Sequence, residues 1–201
     1  LTGAISSPIK ESLNVFIGYC AMTVAPLLIF RQQSKVLRGI EIPAGGWMQW
    51  RPRPLRKGIS DAMRGWLMVM PFVLGISWLV SLIIGDPGGS NPLLEMVLKS
   101  NNYWALAVLF ITTVVLAPLF EEFVFRGVFL PVLAKVQGNG WGIFTSAFVF
   151  ALAHLSVSEF PPLLVLGIGL ALVRLTSGRL LPCVLMHAMW NGITFINLLL
   201  L

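Results

Sequence analysis

Charge is scarce in this chain: of 201 residues only 11% are Asp, Glu, Lys or Arg, while 57% are hydrophobic. Charged residues make up about a quarter of an ordinary soluble domain, so a water-soluble fold is excluded. An extended disordered chain, which needs low hydrophobicity and high charge, is excluded with it. Cysteine is scarcer still. Cys20 and Cys183 each lie in an apolar run, outside any C-x-x-C metal spacing or disulfide framework, and read as inert buried thiols. Only two histidines occur, and no H-E-x-x-H. Residues 1–11 lack the basic n-region and cleavage site of a signal peptide, and the opening at Leu1 reads as that of a piece of a longer membrane protein.

What remains is apolar sequence punctuated by 13 Pro and 19 Gly, both commoner in transmembrane helices than in soluble ones. About 20 mostly apolar residues cross the hydrocarbon as a helix, and six such runs are present. They cover 13–30, ending at Arg31; 66–85; 103–120, with a helical pattern that carries on to about residue 133; 141–155; 162–173, which is short; and 180–201. The expected fold is therefore all-α, a polytopic transmembrane helical bundle of about six spans. Residues 1–100 form an N-terminal membrane region with two spans and a basic loop, and 103–201 form the core.

The basic loop, 31–65, carries Arg31, Lys35, Arg38, Arg51, Arg53, Arg56, Lys57 and Arg64 against Glu41 and Asp61, which amounts to the whole net charge of +6. The positive-inside rule places it in the cytoplasm, with Trp47 and Trp50 at the level of the lipid headgroups. Membrane lipid is the partner this implies, and nucleic acid is not. Counting onward puts 86–99 outside, Lys135 inside, 156–159 outside, and Arg174 and Arg179 inside. A bacterial plasma membrane, or an organelle membrane of bacterial ancestry, fits this pattern.

Ionisable residues inside a membrane are costly and mark function by default. Here they gather in the C-terminal half. Glu122 and Arg126 are four residues apart and stack on one helix face in the favourable order of acid before base, which reads as a neutralising ion pair. Glu121 lies about 100° around the helix, with no cation of its own helix left to pair it, and is the sharpest single candidate. His154 stands one turn beyond Phe150, and His187 and Asn191 share a face of the last span. Taken alone, each of these three reads equally well as helix-to-helix packing or hydrogen-bond glue. Small residues four apart, Ala147/Ala151 and Gly167/Ala171, permit close helix packing.

Together, EEFVFR at 121–126, FALAH at 150–154 and HAMWN at 187–191 resemble the motifs E-E-x-x-x-R, F-x-x-x-H and H-x-x-x-N of the CPBP family, the CAAX-protease and bacteriocin-processing (Abi) intramembrane proteases. Ala117-Pro118 before the acidic pair and Gly127 after Arg126 are similar too. The resemblance covers about residues 103–195. It implies an intramembrane endopeptidase acting on a membrane-associated peptide or protein substrate, which in some relatives is a prenylated CAAX protein. Glu121 would be the general base that activates water, His154 would hold or polarise that water, and His187 and Asn191 would stabilise the oxyanion. Glu122 and Arg126 would support the geometry.

The family name leans toward metalloprotease. Glu121, His154 and His187 are candidate ligands for a divalent, zinc-like metal with an open position for water, and the same groups also suit a metal-free, glutamate-activated water. Two non-proteolytic readings use the same residues: a transporter or proton relay, and a scaffold recruiting partners through the basic loop. Neither an internal repeat nor a polar path through the membrane favours the first. Convergence of the four polar groups on one water-sized cavity requires the third helix to be kinked and tilted at Pro118 and the fourth span to continue past Leu155.

Overall fold

The computed structural model describes residues 7–36, 49–84 and 102–200. Among these are six helices: α1 (Ser7–Val36), α2 (Leu55–Ile84), α3 (Tyr103–Gln137), α4 (Asn139–Leu152), α5 (Phe160–Ser177) and α6 (Leu181–Leu200). No strand occurs among the described residues. The protein is an all-α bundle, and α2, α3, α5 and α6 are long and apolar enough to cross a membrane. The uncharged run 13–30 lies within α1.

Two helices outrun the expected spans. At 30 residues each, α1 and α2 extend about 45 Å, well beyond the roughly 30 Å hydrocarbon layer. Charge outside that layer does not break a helix. So α1 does not stop at Arg31 but continues to Val36, and Arg56, Lys57, Asp61 and Arg64 belong to α2 rather than to a loop. Residues 37–48, with Arg38, Glu41 and Trp47, lie outside the described residues, as does the expected outer loop 86–99.

The short connection 49–54 is bonded to the turn between α5 and α6. Arg179 donates from Nε and Nη2 to Arg51 O at 3.0 and 2.6 Å, and Arg174 donates from Nη1 to Gln49 Oε1 at 2.8 Å. Both guanidinium side chains are buried. They fasten this connection to the helical core, on the same end of the bundle.

The long third helix is continuous from Tyr103 to Gln137 but contains two π segments, Ile111–Leu116 and Phe123–Phe129. Each precedes a proline, Pro118 and Pro131. A proline in a helix lacks the N–H and clashes with a carbonyl of the preceding turn, and a widened turn accommodates it without ending the helix. One carbonyl is orphaned each time. The Ala117 amide bonds to Thr112 O, and Pro118 has nothing to offer Thr113 O; the Leu130 amide bonds to Phe125 O, and Pro131 has nothing for Arg126 O. Side chains of other helices fill both gaps: Asn191 Nδ2 of α6 donates to Thr113 O at 2.9 Å, and Arg174 Nε of α5 to Arg126 O at 3.1 Å.

The fourth helix contradicts the expected span. Its 14 residues cover about 21 Å, short of the hydrocarbon thickness, and it ends at Leu152 instead of passing Leu155. The chain turns there: Leu155 has φ +53, which a continuing right-handed helix does not allow, and α5 restarts with Pro161 and Pro162 in its first turn. A one-residue link, Gly138 with φ +81, folds α4 back on the end of α3. Sixteen positions separate Glu121 from Gln137 and fifteen separate Asn139 from His154, about 24 and 22 Å of helix. The short α4 thus brings His154 level with Glu121 with no need for a longer fourth span.

Core packing is tight, as expected where close contact rather than water exclusion holds helices together. Val73 of α2, Leu166 and Leu170 of α5, and Cys183 and Met186 of α6 form one buried cluster. Ala105 and Leu109 of α3 with Phe195 of α6 form another, against which Ile9 of α1 packs. Ala147 meets Gly167 so closely that a Cβ on Gly167 would stand 3.0 Å from the Ala147 Cβ. This is the small-residue contact that the spacing suggested.

Candidate active site

Glu121 and Glu122 sit on the short α-helical stretch between the two π segments of α3. They face different surroundings. Glu122 is fully buried and its Oε1 accepts from Arg126 Nη1 at 2.9 Å and from His187 Nδ1 at 2.8 Å. Arg126, also fully buried, donates from Nη2 to Gly167 O at 3.0 Å. The expected ion pair is present, and it carries a bond to His187 that the spacing did not disclose.

Glu121 faces a cavity of about 340 Å³, where its side chain retains 13% exposure. Its Oε2 has no hydrogen-bond partner among the described residues, and it stands 3.8 Å from both His154 Nε2 and His187 Nε2. That separation is too long for a direct hydrogen bond. The three atoms are thus gathered without a direct hydrogen bond from Glu121 Oε2 to either ring. Asn191 lines the same cavity, so all four expected residues converge on it. The cavity is not water-sized as expected. It is large enough for part of a substrate, and its walls include Leu109, Leu163, Trp190 and Phe195.

Phe150 organises the imidazoles. Its carbonyl accepts from His154 Nδ1 at 2.9 Å, and because a carbonyl only accepts, that nitrogen bears a proton, with Nε2 as the ring nitrogen turned toward Glu121. The Phe150 ring lies 4.9 Å from the His154 ring, 5.7 Å from that of His187 and 4.4 Å from the Arg126 guanidinium carbon. The F-x-x-x-H spacing thus fixes both ring and tautomer within one turn.

One carboxylate oxygen and two imidazole nitrogens are the donor types of a hydrolytic zinc site. As arranged, however, no group of three or more His, Cys, Asp or Glu among the described residues is gathered closely enough to hold a metal ion.

Residues 103–193 match the family model for type II CAAX prenyl endopeptidases, Rce1-like. That stretch, just under half of the chain, is similar to an Rce1-like domain. No curated protein and no solved structure matches it. The match agrees with the resemblance read from the motifs, and together with the apolar helices it supports an integral membrane protein. Glu121, His154, His187 and Asn191 all fall within the Rce1-like domain. Two contributors to the surroundings of the site fall outside it. Tyr19 of α1 donates from its hydroxyl to Glu121 Oε1 at 3.3 Å, and Gln49 accepts from Arg174. For Tyr19 the available signal was thin: it is one of only two tyrosines, placed in an uncharged run.

Proposed function

We propose that the protein is an intramembrane endopeptidase that cleaves a membrane-associated peptide or protein, CAAX-type prenylated substrates included, with a water activated by Glu121. The observation that carries this reading is the unpartnered Glu121 Oε2, 3.8 Å from each of two imidazole nitrogens at an apolar-walled cavity. The water donates one hydrogen to Glu121 Oε2 and the other to His154 Nε2, which leaves an oxygen lone pair free to attack the scissile carbonyl carbon. As the C–O bond forms, Glu121 takes the water proton.

The developing oxyanion is met by Asn191 and His187. One Asn191 N–H is occupied by Thr113 O, and the second is available to the oxyanion. His187 serves in its doubly protonated form, donating from Nδ1 to Glu122 and from Nε2 to the oxyanion. Collapse breaks the C–N bond, and Glu121 returns its proton to the leaving amine. The apolar walls suit a lipidated or hydrophobic segment, and the end of the bundle bearing 49–54, Arg174 and Arg179 faces the cytoplasm.

Cleavage of a farnesylated CAAX-type peptide by the purified protein in detergent, compared with its Glu121→Gln variant, tests the reading. Cleavage by the parent and none by Glu121→Gln is expected; equal rates overturn it. A chelator arm separates carboxylate-activated water, which is unaffected, from metal-activated water, which is lost.

A further inference from the structure

The Glu121 carboxylate is asymmetric. Oε2 is left open toward the imidazoles, whereas Oε1 accepts from the Tyr19 hydroxyl. Tyr19 belongs to α1, more than eighty residues before the Rce1-like domain begins, and it lines the same cavity. Its ring stands edge-on to Phe120, with centroids 6.2 Å apart, beside the residue it bonds. α1 is itself anchored on the catalytic half, since Ile9 packs against the cluster of Ala105, Leu109 and Phe195.

A glutamate side chain rotates freely about its last torsion. Among the described residues nothing else holds the Glu121 carboxylate by a hydrogen bond, because its other oxygen has no partner and Arg126 is engaged by Glu122. We propose that Tyr19 is a positioning residue: its hydroxyl fixes the plane of the Glu121 carboxylate, so that Oε2 alone is presented to the water between the two imidazoles. This rests on the protease reading of the site. It also makes α1 part of the working enzyme, with the Rce1-like domain alone lacking the group that aims its base.

At 3.3 Å the bond is longer than the roughly 2.7–2.8 Å usual for a hydroxyl donor, as hydrogen bonds of catalytic groups often are before substrate closes the site. Thr23, one turn further along α1, is a suitable control because its hydroxyl bonds to the Tyr19 carbonyl within its own helix, at 2.7 Å.

The test is a set of full-length variants, Tyr19→Phe, Thr23→Ala, Glu121→Gln, Glu121→Ala and Tyr19→Phe/Glu121→Ala, assayed on a farnesylated CAAX-type peptide and melted in the same detergent. Tyr19→Phe keeps the ring contact and is expected to lower kcat about tenfold with KM within about twofold, while Thr23→Ala matches the parent. In melting temperature, Tyr19→Phe and Glu121→Ala, which removes the acceptor, are expected to be non-additive. An active parent, an inactive Glu121→Gln and an unchanged kcat in Tyr19→Phe overturn the role of Tyr19 and leave the protease reading intact. An inactive parent, or an active Glu121→Gln, overturns the protease reading and the positioning role together. Additive melting shifts overturn the bond itself, whatever the activities.

Discussion

Glu122 Oε1 accepts two hydrogen bonds at once, from Arg126 Nη1 at 2.9 Å and from His187 Nδ1 at 2.8 Å. One buried carboxylate oxygen thus joins an ion pair of α3 to an imidazole of α6, and whatever displaces it disturbs both helices.

Replacing Glu122 by Ala leaves Arg126 buried with no counter-charge, a loss of about 3–5 kcal/mol for a broken buried pair. A large drop in melting temperature in detergent is expected. Glu121→Ala, which breaks no ion pair and whose Oε2 has no hydrogen-bond partner among the described residues, is expected to melt much closer to the parent yet to cleave nothing. Equal melting losses in the two variants would contradict this division of labour between adjacent acids.

Asn191 holds a backbone carbonyl as well as facing the cavity. Asn191→Ala orphans Thr113 O, at a cost of about 1–3 kcal/mol, and removes the proposed oxyanion donor, with an expected fall of about 10²–10³ in kcat. Pro118→Ala returns an N–H to Thr113 O. In melting, the double variant Pro118→Ala/Asn191→Ala is therefore expected to be less destabilised than the sum of the two single variants. Simple additivity would show that the proline does not create the need for Asn191.

The acids, imidazoles and amide of the site were legible because helical spacing alone fixes which of them share a face. The length of α3 was legible too, since its apolar pattern runs on past Glu121. The end of α4 was not: the run 141–155 has the composition of a full span, and hydropathy does not register the backbone turn at Leu155. Nor were the partners of Thr113 O and Arg126 O, because the prolines announce a missing N–H while the replacement donors come from α5 and α6. Tyr19 escaped because its role depends wholly on how α1 packs against α3.

Gly142 of α4 faces the backbone of α3, and a Cβ there would stand 2.6 Å from Ala134 N. Backbone cannot swing aside as a side chain does. Gly142→Ala is expected to cost about 1–3 kcal/mol and, by pushing α4 away from α3, to lower kcat. Melting curves and rates at saturating substrate check both, and parent-like values in each would show that the α3–α4 contact is slack.

Arg174→Met removes the donor to Arg126 O and the bond to Gln49. Lower melting temperature is expected, with activity per folded molecule kept closer to the parent than in Asn191→Ala. This is measurable by active-site titration alongside the rate.

The two carbonyls that prolines leave bare also bear on how the protein is made. In hydrocarbon an unsatisfied backbone group costs several kcal/mol, and α3 carries two of them, at Thr113 and Arg126, whose donors lie 78 and 48 residues further along the chain. When α3 enters the bilayer during synthesis, α5 and α6 have not yet been threaded, so the helix waits in an incomplete state that only its own later segments can finish. Biogenesis of the bundle is thereby given a direction: Glu121 and Glu122 arrive early on an unfinished helix, and the arrival of Arg174 and then Asn191 closes it.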